Sequence, residues 1–381
     1  MKKKMLGMAA ALTLSVSLFA GCSKNGASES DVIKIGGIAP LTGKVATYGL
    51  SVKEGVLLAE KELNDKGGIN GKKVKVVYED DQADQNASIN AFNKLVDDEK
   101  VAAVIGPVTS GATLAVAPKA TQAMVPMITP TATEPTITKT GGNYVFRACY
   151  VDSYQGVIMA KYAAKDLGKK TAAVLYNVGS DYSKGVAEAF KKEYEAQGGS
   201  VVEYTSYNNG DKDFNAQLTK VKSANADVLL LPDYYDVTAL IAKQARELGI
   251  QSQFLGSDGW ESQELYKIGG DAVKGAVYVN HYFAGDSTKE VQDFVAAYKK
   301  EYNKEPDCFA ALGYDSAKIM FKALEDAKST DGDKIREAIS KVQITGVTGK
   351  MSFGEDRTAV KGSVLVKVEG EKTSLVTKVN P

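Results

Sequence analysis

Hydroxyl side chains recur in this chain where short β-branched runs give way to helical periodicity. In Gly106-Pro107-Val108-Thr109-Ser110-Gly111, Ser110 stands at the end of a strand candidate and the start of a helix candidate. A serine hydroxyl beside free amides at a helix start favours an anion, through hydrogen bonds and the helix dipole. A carboxylate on a small solute fits such a place; a plain N-cap is the other use of serine there. The next strand end, Val125-Pro126-Met127-Ile128-Thr129-Pro130-Thr131-Ala132-Thr133, brings Thr131 and Thr133 to the same side. The parts for covalent chemistry are missing. His281 is the single histidine and has no serine beside it, and a GxSxG elbow, a Walker loop and a GxGxxG after a strand are all absent. Cys149, Cys308 and His281 offer no zinc spacing. No enzyme, metal site or cofactor is expected.

The elements that must position these hydroxyls alternate regularly. Runs at 33–38, 74–78, 101–105, 171–176, 201–206 and 228–231 read as buried parallel strands. Between them, 51–63, 85–98, 185–197 and 236–248 carry helical periodicity, so right-handed βαβ units and doubly wound α/β sheets are expected. The alternation stops near residue 148 and restarts at Gly168-Lys169-Lys170-Thr171, which predicts two α/β lobes of similar build. Helices at 289–302 and 309–327 complete them, and 349–353 with 363–368 read as a terminal hairpin. Two open sheets facing each other make a cleft lined by the carboxyl ends of strands, so function belongs in the strand-to-helix turns. His281, at the end of the 278–283 strand, reads as a surface or inter-lobe residue.

The first residues are of another kind. Lys2, Lys3 and Lys4 precede an apolar run from Met5 to Ala20, then Gly21 and Cys22, the layout of a secretion signal. A cysteine closing such a run after small residues is where lipoprotein processing cleaves and leaves a lipidated N-terminus, with Phe19 at the position usually given to leucine. Residues 22–30 then read as a tether. Loss of the three lysines leaves the remainder at a net charge of about −3, with no basic arm or stripe for nucleic acid. Cys149 and Cys308 are too few for a disulfide scaffold, and spacing does not say whether they pair.

Taken in order, Ala39-Pro40-Leu41-Thr42-Gly43 with Ala46-Thr47-Tyr48-Gly49, the Gly106 and Met127 turns, the Asp152–Gly156 segment and Tyr314-Asp315-Ser316-Ala317 resemble the Leu/Ile/Val-binding family of ABC-importer receptors. The resemblance spans essentially everything after the tether. It implies a type I periplasmic-binding-protein fold: two Rossmann-like lobes joined by a three-segment hinge, with the ligand in the cleft between them. It also implies a carboxylate site at Ser110 with the backbone of Val108 and Thr109, and an ammonium site at Thr131, Thr133 and Asp258. Asp258 lies in Phe254-Leu255-Gly256-Ser257-Asp258-Gly259-Trp260, another strand end, where a buried carboxylate is costly unless a cation pairs with it. A turn-forming Asp-Gly pair is the alternative. The family often has glutamate here, and the shorter aspartate draws a ligand deeper or reaches it through water. Tyr48, Tyr182, Tyr234 and Phe309 fall where the family lines the ligand's side chain, and Trp260 is an added wall; each is equally suited to core packing. Asp181, Asp233 and Tyr235 stand second, as contacts to water or between lobes.

The resemblance makes the chain a monomeric extracellular or periplasmic solute receptor, anchored through Cys22, that passes an apolar α-amino acid to ABC permease subunits. A ligand-sensing subunit of the same fold, or a receptor for another small carboxylate or amide, are the alternatives. Expected boundaries are a signal at 1–21, a tether at 22–30, a first lobe at 31–148 and 284–346, and a second at 149–283 and 347–381, with crossings near 147–151, 281–285 and 345–349.

Overall fold

The structure, a computed structural model, describes residues 32–380. The expected signal, tether and Cys22 lie outside the described residues. Among those described, no helix is long and apolar enough to cross a membrane.

Strands β1 (Val32–Ala39), β2 (Lys73–Asp80), β3 (Val104–Ile105), β4 (Met127–Thr129) and β5 (Val145–Arg147) form a parallel sheet in the order β2-β1-β3-β4-β5. A second sheet repeats this plan with β6 (Thr171–Asn177), β7 (Ser200–Tyr207), β8 (Val228–Leu231), β9 (Gln253–Gly256) and β10 (Val277–Asn280), ordered β7-β6-β8-β9-β10. Helices cover both faces, so strands are apolar at successive positions rather than alternate ones: every residue of the Val-Leu-Leu-Leu of β8 is buried. In each sheet the strand order reverses once, between β1 and β3 and between β6 and β8. Loops after those strands diverge and leave a crevice between them.

The C-terminal part departs from the expected hairpin. Strands β11 (Gln343–Gly346), β12 (Gly349–Phe353) and β13 (Ala359–Val360) make their own antiparallel sheet, whereas β14 (Ser363–Val368) pairs with β10 and with β15 (Thr373–Val379). Residues 347–360 therefore stay with the first lobe, and the third crossing falls between Val360 and Ser363 rather than at 345–349. The cause is anchoring that alternation cannot reveal. The buried Asp315 carboxylate accepts the Val347 and Thr348 amides at 2.9 and 2.8 Å, Phe353 packs edge-on against Phe146, and the Arg147 amide donates to Arg357 O at 3.0 Å. The chain makes its other passages between Arg147 and Asp152 and after Asn280.

Helix Ala46–Asp65 begins ahead of its expected start, so Tyr48 sits on a first helical turn. It crosses helix Cys308–Ala327 so closely that a Cβ on Gly55 would lie 2.0 Å from the Ala310 carbonyl oxygen. That crossing fixes where Tyr48 and Phe309 meet. In a free helix Gly→Ala is worth about 1 kcal/mol of stabilisation; here the backbone clash outweighs it. Gly55→Ala is expected to lower the melting temperature by several degrees in differential scanning calorimetry, and an unchanged or higher value would show that the two helices separate freely.

Candidate functional site

Ser110 opens helix Ser110–Ala123, whose preceding Thr109 makes no side-chain cap. Other helices are closed by their own sequence, as Asp84 does for Ala87 N and Asp307 for Ala310 N. Here the first amides stay free of a side-chain cap, and the Ser110 hydroxyl accepts instead from the amides of Thr133 and Glu134, at 3.2 and 3.3 Å. With its lone pairs engaged, that hydroxyl has its proton to give. The loop before it turns at Gly106, at φ +114°, where a Cβ would lie 2.1 Å from Ile38 O. The threonine loop is pinned from below by the buried Arg147 guanidinium, which donates to the carbonyls of Ala132, Glu134 and Pro135. Thr131 Oγ1 donates to Val108 O at 2.6 Å, tying the two loops together.

Across the cleft stands Asp258, 4% exposed, on the turn after β9. Tyr182 donates its hydroxyl to Oδ1 at 2.7 Å, and His281 Nε2 lies 2.9 Å from Oδ2. Burial pushes the imidazole down to about 4, against the pull of the neighbouring carboxylate, so it is neutral near pH 7. Among the described residues no lysine or arginine pairs with Asp258. Gln155 holds the turn by accepting the Asp258 amide at 2.9 Å and offers its Nε2 to Asp152 at 3.3 Å. Asp152 is fully buried, and burial raises its pKa well above the ordinary carboxylate value.

Four aromatic rings connect the two sides. Phe309 stacks on Tyr48 with centroids 4.2 Å apart, Tyr48 meets Tyr234 edge-on at 5.6 Å, and Tyr234 stacks on Tyr182 at 5.2 Å. Tyr48, Val108, Thr109, Ser110, Thr131, Thr133, Tyr182, Tyr234, Asp258 and Phe309, together with Gly259, line one cavity between the lobes. Each belongs to the set read from the sequence except Gly259. Trp260 does not line it: its indole is buried behind the turn, donates to Leu231 O at 2.8 Å and fills the space above Gly256. The expectation that it walls the ligand is thus corrected; it is a core residue that shapes the Asp258 turn. His281 is likewise buried rather than on the surface. Of the second-ranked residues, Asp233 accepts from Tyr207 and from the Tyr234 amide, Tyr235 bridges to the first lobe, and Asp181 lies exposed on a helix start. Cys149 and Cys308 are buried free thiols, and burial pushes Cys149 up to about 12. Among the described residues no group of His, Cys, Asp or Glu could hold a metal ion.

The lobes meet across this cavity. The Tyr48 hydroxyl donates to Gly259 O and accepts from the Tyr235 amide at 3.3 Å, and Tyr235 donates to Lys44 O at 2.8 Å. Only about 20 Å³ is open to the centre of a water molecule, room for one water. Any larger solute requires the lobes to part and close again.

Residues 32–373 match the family model described as periplasmic binding protein. The Leu/Ile/Val-binding protein BraC3 of Rhizobium johnstonii is 36% identical over 346 residues, covering 90% of this chain and 93% of its own. The leucine-binding protein LivK of Thermotoga maritima superposes with a TM-score of 0.87 at 37% identity, covering 92% of this chain and 99% of that one. The branched-chain amino acid transporter substrate-binding protein LivJ of Streptococcus pneumoniae, solved in complex with isoleucine, gives a TM-score of 0.87 at 33% identity, with 92% and 100% covered.

The Asp258 turn rests on a further acid. Glu261 accepts from Tyr278 and from Asn280 Nδ2, and burial, with nearby Asp307 adding to it, pushes its pKa up to about 7. A carboxyl whose folded pKa exceeds its unfolded value of 4.5 stabilises the fold fully below 4.5, and that contribution is lost as pH rises through 7. Glu261→Gln keeps both acceptor contacts, so its stability should match wild type below about pH 4 and exceed it above pH 7.5 by about 3 kcal/mol, read as a higher melting temperature there. Parallel profiles would mean that Glu261 titrates normally.

Proposed function

Because the chain belongs to the periplasmic-binding-protein family, we propose that it clamps a branched-chain or similar apolar α-amino acid between its lobes and delivers it to an ABC permease. The observation that carries the reading is the pair of opposite poles facing one cavity. Ser110 and the uncapped helix start offer donors to an anion, while Asp258, bonded only to uncharged side chains, offers a full negative charge to a cation. An α-amino acid satisfies both poles at once; a ligand lacking either charge leaves a buried group unpaired, at about 1–3 kcal/mol. Tyr48, Phe309, Tyr182 and Tyr234 supply the apolar surface for its side chain. The relatives named for leucine, isoleucine and valine support that class of side chain.

Binding and release proceed through closure with no chemical step. Across the cleft Tyr48 and Tyr235 join the lobes by a few hydrogen bonds, each worth about 1 kcal/mol, so opening is easy. A zwitterion adds contacts to both sides and makes the closed form, the one a permease would read, dominant. The family's setting outside the cytoplasm agrees with the secretion signal, and lipidation of Cys22 would keep the receptor beside its permease.

Thermal shift of residues 23–381 against the twenty amino acids should single out leucine, isoleucine and valine, because a ligand at a hundred times its Kd adds about 2.7 kcal/mol. Asp258→Asn, which keeps shape and removes charge, should weaken leucine about a hundredfold, as expected for losing a charged hydrogen bond in a closed site. No shift with any amino acid, or full affinity in Asp258→Asn, would sink the proposal.

A further inference from the structure

His281 lies one residue past β10, where the chain leaves the second lobe. Its side chain is fully buried, with Nε2 2.9 Å from Asp258 Oδ2. Its ring stacks on Tyr150, centroids 3.7 Å and planes 16° apart, and Tyr150 belongs to the first passage between the lobes. One imidazole thus joins two hinge passages to Asp258, the carboxylate that faces the cavity among the described residues, without itself lining that cavity.

Its protonation follows from its surroundings. An ionised carboxylate only accepts, so the ring places its proton on Nε2. Nδ1 is then a bare lone pair, and it has no hydrogen-bond partner among the described residues. A lysine or an imidazolium here would cancel the charge of Asp258; a neutral donor orients the carboxylate and leaves that charge standing. Tyr182 plays the same part on Oδ1. Each oxygen has one donor and a lone pair to spare, so turning the carboxylate plane would break both bonds.

We propose that His281 is the positioning residue of the cation subsite: its Nε2–H fixes the plane of Asp258 toward the cavity and so sets the preference for ligands that carry an ammonium group. The inference rests on the amino-acid reading above, and it concerns a residue that does not line the cavity.

The test is calorimetric titration of leucine and of 4-methylpentanoate, the same acid without its amine, into wild type and three variants. His281→Gln keeps an N–H at the Nε2 position. His281→Phe and His281→Met remove it, Phe retaining the ring against Tyr150, and either one that folds decides the matter. Gln should hold leucine affinity within about threefold, whereas Phe and Met should lose about tenfold or more for leucine while 4-methylpentanoate moves less than about twofold, the mark of a lost hydrogen bond to a charged group. Equal losses for both ligands would reduce His281 to packing, and unchanged leucine affinity in the donor-free variants would show that Asp258 needs no positioning; either overturns the inference and leaves the amino-acid reading intact. Wild type that takes 4-methylpentanoate as tightly as leucine would overturn the amino-acid reading, and this inference with it.

Discussion

A buried carboxylate that pairs with no lysine or arginine among the described residues is the constraint around which the cleft is organised. Removing Asp258 from water costs several kcal/mol unless donors replace its hydration, and the protein supplies these from Tyr182 and His281, both uncharged. The turn that presents it is held by Gln155, backed by Trp260 and floored by Glu261. Little of this would be needed if a lysine or arginine sat beside Asp258. A neutral shell keeps the acid in place with its charge unspent, which is the state a receptor for a cationic group requires.

The opposite pole is built from backbone rather than from charge. Helix Ser110–Ala123 meets the cleft without a side-chain cap, and the arginine nearby, Arg147, is turned away to hold the threonine loop through its carbonyls. Donors made of amides and a hydroxyl bind a carboxylate and release it again, because they add no ion pair that must be broken. The Ser110 pole sits where strand order reverses in the first sheet, with Tyr48 after β1 and Ser110 after β3; in the second sheet Tyr182 and Tyr234 follow β6 and β8 at the reversal, and Asp258 follows the next strand, β9. The duplicated fold brings two such crevices face to face, and closure makes one cavity of them.

How far the sequence reveals this depends on how local each cause is. The βαβ alternation and the residues directly following strands are legible because periodicity and turn residues are local, so Ser110, Thr131, Thr133, Tyr182, Tyr234 and Asp258 all land on the cavity. Phe309 lies on a helix face that sequence alone cannot orient, and its place follows from the close crossing at Gly55. Trp260 misleads by proximity: two residues beyond Asp258 in a 3₁₀ turn, it points about 240° round and into the core. His281 and Asp258 are 23 residues apart, yet each lies within two residues of the end of one of two neighbouring parallel strands, β10 and β9. That adjacency was the available signal, and it needed the strand order to be read. The separate sheet at 343–360 was hidden for the same reason, since Asp315, which anchors it, lies on a distant helix.

If two poles on opposite lobes grip the two charges of one amino acid, a crystal structure of residues 23–381 grown with leucine will show closed lobes, the ligand carboxylate against Ser110 and the first amides of its helix, and the ammonium group about 3 Å from Asp258 or joined to it by one water. A leucine bound in the reverse sense, or held with its ammonium group facing solvent and Asp258 bonded only to Tyr182 and His281, would contradict that grip.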